Sequence, residues 1–312
     1  MRRKLLLIFG LIVFGLTTHA QNSALELGFD NDYLTDRYYT AGFQISFVRG
    51  VKQSNWMNSF LAHPNKPTFS TNYSLDYGFQ IYTPFDHEEE DLINEQHDRP
   101  FAGWQYLSMN LDRFIGKGRV NQYHLTLGVV GPDSGMGNLQ KSFHDLVDFK
   151  YPYGWENQIV NEFVINIGYS WTKEWIFMEE IGLGINTNIE LGTGSNRMGQ
   201  GFHVRIGKIN PLQESGFLSP RTVLDKVDQK ESYFLAGVSL DYVASNIFLE
   251  GSLFDNRSPF TVDAKPFVWE SFFGLMFSSS KSNFSLTTHV RGPEVEVSKA
   301  HIYFKAKYGF SI

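Results

Sequence analysis

The chain ends HIYFKAKYGFSI (301–312). Ile302, Phe304, Ala306, Tyr308, Phe310 and Ile312 share one face of an extended segment, and His301, Tyr303, Lys305, Lys307, Gly309 and Ser311 share the other. Successive side chains of a strand point to opposite sides, so this period of two predicts a β-strand with an apolar, aromatic face and a polar one. The pattern recurs upstream. Leu75, Tyr77, Phe79 and Ile81 oppose Ser74, Asp76, Gly78 and Gln80, and Tyr123, Leu125, Leu127 and Val129 oppose Gln122, His124, Thr126 and Gly128. Phe163, Ile165, Ile167 and Tyr169 oppose Glu162, Asn166, Gly168 and Ser170, and Phe284, Leu286 and Val290 oppose Ser285, Thr287, His289 and Arg291.

These runs are long. A globular strand has about five or six residues, whereas a tilted strand crossing a bilayer needs about 9–11. A secreted β-sandwich would also alternate, but polar faces continuous from strand to strand are what a lumen requires. The expected fold is an all-β transmembrane antiparallel β-barrel. Twelve strands are expected near 23–31, 40–49, 72–82, 101–112, 120–131, 158–172, 174–190, 200–209, 232–243, 266–278, 282–291 and 299–312. An even count puts both termini on one side, the periplasm. TKEW (172–175) and SSSKS (278–282) read as short periplasmic turns, 50–71 and 210–231 as long ones, and 246–254 as a projecting hairpin arm. No repeat or linker divides the chain, so 21–312 is expected to be one domain.

The N-terminus reads MRRKLLLIFGLIVFGLTTHAQN. Arg2, Arg3 and Lys4 precede an apolar run from Leu5 to Leu16, and Thr18-His19-Ala20 places small residues where a signal peptidase cuts. Residues 1–20 are expected to be a secretory signal peptide; the run is short for a membrane span, which needs about 20 apolar residues. Losing it takes the formal net charge from −6 to −9. An acidic exported chain gives no sign of nucleic-acid binding. With no cysteine, no disulfide holds the fold.

Polar chemistry collects between particular strands. FDNDYLTDRYYT (29–40) crowds three Asp, one Asn, two Thr, one Arg and three Tyr into twelve positions. TPFDHEEEDLINEQHDRPFAGW (83–104) and GPDSGMGNLQKSFHDLVDFKYPYGWENQ (131–158) are similarly rich in His, Asp and Asn. Strand parity puts all three in external loops, on one side of the barrel.

FDND (29–32), YYTAG (38–42), IYTP (81–84), DRPFAGW (98–104), VVGPDSG (129–135) and the His144 to Tyr151-Pro152 segment with Trp155 and Gln158 come in the order and near-spacing of a known family. On these residues, spread over the first half, the chain resembles the outer-membrane lipid A 3′-O-deacylase family (LpxR). The resemblance implies a twelve-stranded barrel that hydrolyses the 3′-linked acyloxyacyl ester of lipid A with Ca²⁺, so that lipid A or lipopolysaccharide and the membrane are the expected partners. It implies that His144 is the general base, that Asn31 helps hold the oxyanion, that Asp32 serves the Ca²⁺, and that Thr40 supplies an active-site hydroxyl. These types suit the chemistry. Hydrolysis without a Ser or Cys nucleophile needs an activated water and a stabilised oxyanion, and Ca²⁺ takes oxygen ligands and can polarise a carbonyl.

Two positions depart from the family pattern. The acidic residue expected six places after the histidine is not in register here, and Asp148 is the nearest carboxylate, with Phe149 at the aligned place. The family lysine five residues past the Ile-Tyr-Ser-Pro is replaced by Glu89, within the run His87-Glu88-Glu89-Glu90-Asp91. Arg99, Lys141 and Lys150 are candidates to substitute for it, and Arg37, Tyr38 and Tyr39 suit a membrane interface with lipid phosphate. The alternative is a non-catalytic barrel of the same family that binds lipopolysaccharide or is structural. A channel is a third reading, disfavoured because twelve strands leave little free lumen.

Overall fold

The computed structural model describes residues 23–51, 68–86, 98–116, 118–220, 230–254 and 256–312. Its strands are β1 (Ser23–Asn31), β2 (Tyr38–Val51), β3 (Thr68–Thr83), β4 (Ala102–Ile115), β5 (Arg119–Val130), β6 (Glu162–Phe177), β7 (Ile181–Gly192), β8 (Ser195–Lys208), β9 (Glu231–Asn246), β10 (Phe267–Ser278), β11 (Ser282–Arg291) and β12 (His301–Ser311). Each pairs antiparallel with its neighbours in sequence, and β1 pairs with β12 from Ala24↔Ser311 to Asn31↔Phe304, closing a twelve-stranded barrel. Closure leaves no edge whose N–H and C=O groups would go unpaired in lipid.

The alternation is realised as expected. Leu27, Phe29, Phe163, Ile165, Ile167, Phe273, Leu275, Ile302 and Tyr308 are exposed on the outer wall. Inward positions are polar, and many hydrogen-bond one another. Arg205 donates to Glu174 Oε2 at 2.7 Å and to Ser215 Oγ at 2.9 Å, and Tyr303 donates to Glu270 Oε2 at 3.0 Å. The lumen is thereby packed with hydrogen-bonded side chains around small cavities, one of them about 360 Å³.

Several segment expectations are corrected. TKEW is not a turn: β6 runs on to Phe177, Trp175 and Phe177 keep the outward alternation, and Glu174 points inward to Arg205. The turn is at 178–180, so residues expected as the start of the seventh strand belong to the sixth. The 191–199 loop shrinks to Thr193-Gly194. The projecting arm at 246–254 is instead a four-residue helix, Ile247–Glu250, with Asn246 as its N-cap accepting from Phe248 N. Residues 210–220 of the long 210–231 connection fold into the barrel mouth, where Ser219 accepts from Asn72 Nδ2 at 2.9 Å and Gly216 N donates to Glu231; residues 221–229 lie outside the described residues. Residues 1–20, 52–67 and 87–97, which hold the leader, most of the 50–71 turn and Glu89, lie outside the described residues.

The connection after β5 carries the main surprise, a twelve-residue helix α1 (Met136–Val147). It packs on the outside of the barrel. Met136 clusters with Ile81, Phe101 and Trp155, with Phe79 against them, and Phe79 and Ile81 share the outward face of β3. Gly103 on β4 allows this approach, since a Cβ there would collide with Met136. Gly137 does the same on the helix side, where a Cβ would lie 2.8 Å from the Trp155 ring.

Candidate active site

Of the side chains named from sequence, Asn31, Asp32 and Thr40 lie where β1 and β2 join, and His144 reaches the loop between them from α1, which packs on β3 and β4; Asp148 does not join them. Asn31 ends β1 on its outward face. Thr40 sits at a register shift between Tyr39 and Ala41 in the β2–β3 pairing, a bulge of the kind that re-aims a side chain beside a functional site. His144 lies on the buried face of α1.

His144 has a neighbour at each ring nitrogen. Nδ1 meets the backbone carbonyl of Lys150. A carbonyl only accepts, so Nδ1 carries the hydrogen and the lone pair of the neutral ring is on Nε2. Nε2 lies 2.6 Å from Oδ2 of Asp36, off the line of a hydrogen bond. The carboxylate at the ring is therefore Asp36, from the β1–β2 loop. Asp148, the nearest carboxylate in sequence, is exposed and caps α1 with φ 58°, its own N–H donated to the His144 carbonyl.

The β1–β2 loop is tightly bent. Tyr33, Leu34, Asp36 and Tyr38 all have φ between 51° and 63°, a region that costs a non-glycine residue roughly 1–3 kcal/mol. Asp32 holds the bend: Oδ1 accepts from Thr35 N at 3.2 Å, and Oδ2 from Thr35 Oγ1 at 2.8 Å and Arg37 N at 2.5 Å. Asn31 Oδ1 accepts from Leu34 N at 2.8 Å, and its Nδ2 makes one long bond, 3.4 Å, to the Thr40 carbonyl. Asn31 and Asp32 thus both close Asx-type turns with the backbone three residues on.

Thr40 bonds to Thr83, Oγ1 to Oγ1, at 2.7 Å. Thr83 Oγ1 in turn donates to the Asp36 carbonyl at 2.5 Å. A hydroxyl has one hydrogen, so Thr40 is the donor in the first bond. The relay Thr40→Thr83→Asp36 fixes the loop that presents Asp36 to His144.

Two site residues escaped the sequence reading. Asp36 was visible only as one of three aspartates in a crowded stretch. Gln140 stands one turn before His144 on the same buried face; its Oε1 accepts from Trp155 Nε1 at 2.7 Å, and its Nε2 is buried without a partner among the described residues. The i, i+4 spacing would have exposed it had the segment been read as helix. Of the cations considered as substitutes for the family lysine, Arg99 is buried and paired with Glu294 at 3.0 Å, and Lys141 stands over the Tyr151 ring.

Asp32 decides whether a hard cation fits. It is buried, and burial pushes its carboxyl up to about 6 against the bonds from Arg37 and Thr35, with the Asp36 charge adding to the rise. Two neighbouring carboxylates, one desolvated and with an Oδ1 lone pair unused, form a donor set that a cation would complete. Among the described residues no group of three acidic or imidazole side chains is placed to hold a metal ion, and Asp36 already faces His144, so carbonyls and water would fill the remaining positions, as Ca²⁺ accepts. In that form the residues fit.

A family model described as Outer membrane protein LpxR matches residues 5–309. Among solved structures, LpxR from Salmonella typhimurium superposes with a TM-score of 0.73 at 20% identity, over 93% of this chain and 100% of that one. The β domain of the Bordetella autotransporter BrkA superposes with a TM-score of 0.50 at 9% identity, over 94% of this chain and 100% of that one. At these identities the two structures speak to fold alone. No curated protein sequence matches the chain.

Proposed function

The chain belongs to the LpxR family of outer membrane proteins, and we propose that it is a lipid A 3′-O-deacylase, cleaving the 3′-linked acyloxyacyl ester at the outer leaflet. The observation that carries this is His144, whose Nδ1–H is fixed by the Lys150 carbonyl and whose Nε2 faces Asp36 on the outer side of the barrel wall.

In this reading Nε2 takes a proton from a water, and the proton arrives beside the Asp36 carboxylate, which stabilises the imidazolium. The buried Nε2 of Gln140 and the Nδ2 of Asn31 are the amide donors available to the ester oxygen as it gains charge. Thr40 acts through Thr83 by holding Asp36 in place. Asp32 would hold Ca²⁺, which when bound would polarise the ester carbonyl.

The setting supports a lipid substrate. The face of α1 opposite His144 is apolar and exposed at Leu139, Phe143 and Leu146, so the helix offers hydrocarbon contact close to His144. In the same reading, residues 1–20 are removed on export and both termini face the periplasm, which turns the rim carrying α1 toward the outer leaflet.

The test is His144→Ala in protein refolded in detergent and given purified lipid A. Loss of about 100-fold or more in deacylation, the lower range of general-base catalysis, is expected with the barrel still folded. Unchanged deacylation overturns the assignment of the base.

A further inference from the structure

At the rim away from α1, the connection after β8 crosses the lumen. In the closed ring of strands β9 and β3 are six places apart in either direction, so they face one another across the bore. Residues 210–220 reach from one to the other. On the β8–β9 side, Arg205 donates to the Asn210 carbonyl at 2.8 Å and to Ser215 Oγ at 2.9 Å. Glu231 accepts there from Asn210 N at 2.9 Å and from Gly216 N at 3.0 Å. On the far side, Asn72 of β3 donates to Ser219 Oγ at 2.9 Å and to the Pro220 carbonyl at 3.4 Å.

Two apolar seats complete the crossing. Leu212 packs with Phe114 and Val120 of β4 and β5, and Phe217 packs against the cluster of Ile209, Tyr233 and Met276. Asn210, Leu212, Ser215 and Ser219 are all buried. Yet the wall does not need this segment. Strands β8 and β9 pair directly, from Ser195↔Asn246 to Lys208↔Ser232, and the segment itself contains only a short 3-10 turn, Leu212–Glu214. It can leave the bore without breaking a ladder hydrogen bond of the barrel.

Three polar cavities lie in series behind it. The first, about 190 Å³, has Leu218, Ser219 and Pro220 in its lining. It shares Glu26, Gln44 and Lys307 with a second of about 120 Å³. The second shares Tyr39, Gln80 and Lys305 with the 360 Å³ cavity, which extends to Ser195 and Asn246 at the rim that carries α1. Among the described residues, eight carboxylates line the series against four lysines and arginines. Such an excess of fixed negative charge draws cations and repels anions.

We propose that the barrel is also a narrow, cation-preferring passage, held shut by residues 210–220 as a stopper. The passage is separate from the chemistry of His144 and Asp36, which stand on the outer side of the wall, and it does not rest on the deacylase reading. Arg205 and Glu231 anchor the stopper at β8 and β9, Asn72 fastens its far end, and Leu212 and Phe217 seat it in the bore.

The test is conductance of the full chain in a planar bilayer under a potassium chloride gradient, with heat-modifiable gel migration reporting the folded barrel. Wild type is expected to stay shut. Leu212→Gly with Phe217→Gly removes both seats and leaves the wall intact; steady current steps are expected, with a reversal potential of the sign set by cation preference. Asn72→Ala loses its two bonds to the stopper and should raise the open fraction about tenfold, the scale of two neutral hydrogen bonds. Phe248 lines the uppermost cavity and stacks on Tyr82 at 4.9 Å, so each variant is repeated with Phe248→Ala to clear that end. Steady conductance in wild type, no conductance in the folded unseated variant on either background, or a preference for anions overturns the proposal.

Discussion

Nε2 of His144 and Oδ2 of Asp36 stand 2.6 Å apart, joining the helix on the outer wall to the loop between the first two strands. The contact explains why FDNDYLTDRYYT is so polar. Asp32 shapes the loop, Thr40 and Thr83 pin it, and Asp36 is its product. Asp36→Asn keeps the shape but removes the charge that stabilises an imidazolium. Deacylation should fall by about 10- to 100-fold, the worth of a hydrogen bond to a charged group. An unchanged rate would detach Asp36 from the chemistry.

Thr83 and Thr40 should not be equivalent. Thr83 donates directly to the Asp36 carbonyl, and Thr40 reaches it only through Thr83. Thr83→Val is expected to lower kcat more than Thr40→Val. The opposite order, measured on folded protein, would mean that the Thr40 hydroxyl meets the substrate itself.

Gly103→Ala separates helix seating from barrel stability. The new Cβ collides with Met136, and overpacking of this kind costs about 1–3 kcal/mol. The strain falls on α1, because β4 is held on both sides by its neighbours. Activity should drop sharply while heat-modifiable migration persists; loss of the folded band would place the strain in the wall instead.

Glu294 gives the rim a definite acid response. Burial pushes its carboxyl up, but Arg291 and then Arg99 outweigh this and hold it at about 2, below the ordinary 4.5. A carboxyl depressed in the folded state contributes stability that is fully present above its unfolded value and is lost as pH falls through the folded one. The Arg99–Glu294 clamp should therefore begin to weaken below about pH 4.5 and be spent near pH 2. Glu294→Gln should lower the thermal midpoint at neutral pH, and the gap to wild type should close across that window. A constant gap down to pH 2 would contradict the assignment.

The barrel was legible because sheet burial depends only on period. The alternation in 301–312 specifies which face meets lipid whatever the neighbours are, and β12 behaves accordingly. Turns were less legible. Lys173-Glu174 has the composition of a turn, but Glu174 is satisfied by Arg205 across the lumen, which composition cannot show. Helix α1 was missed because its polarity is inverted: Gln140 and His144 are buried while Leu146 is 82% exposed. Asn31, Asp32 and Thr40 lie at the loop between β1 and β2, and His144 reaches the same loop from α1. The carboxylate at His144 was misjudged because proximity in sequence favoured Asp148, whereas the loop between β1 and β2 brings Asp36 across the wall.

The most direct measurement weighs lipid A by mass spectrometry after incubation with the folded protein, once with Ca²⁺ and once with chelator. The account predicts loss of the 3′-linked acyl group with Ca²⁺ and none with chelator. No mass change in either condition, from protein shown to be folded, would contradict it and leave a barrel that keeps the family scaffold without its reaction.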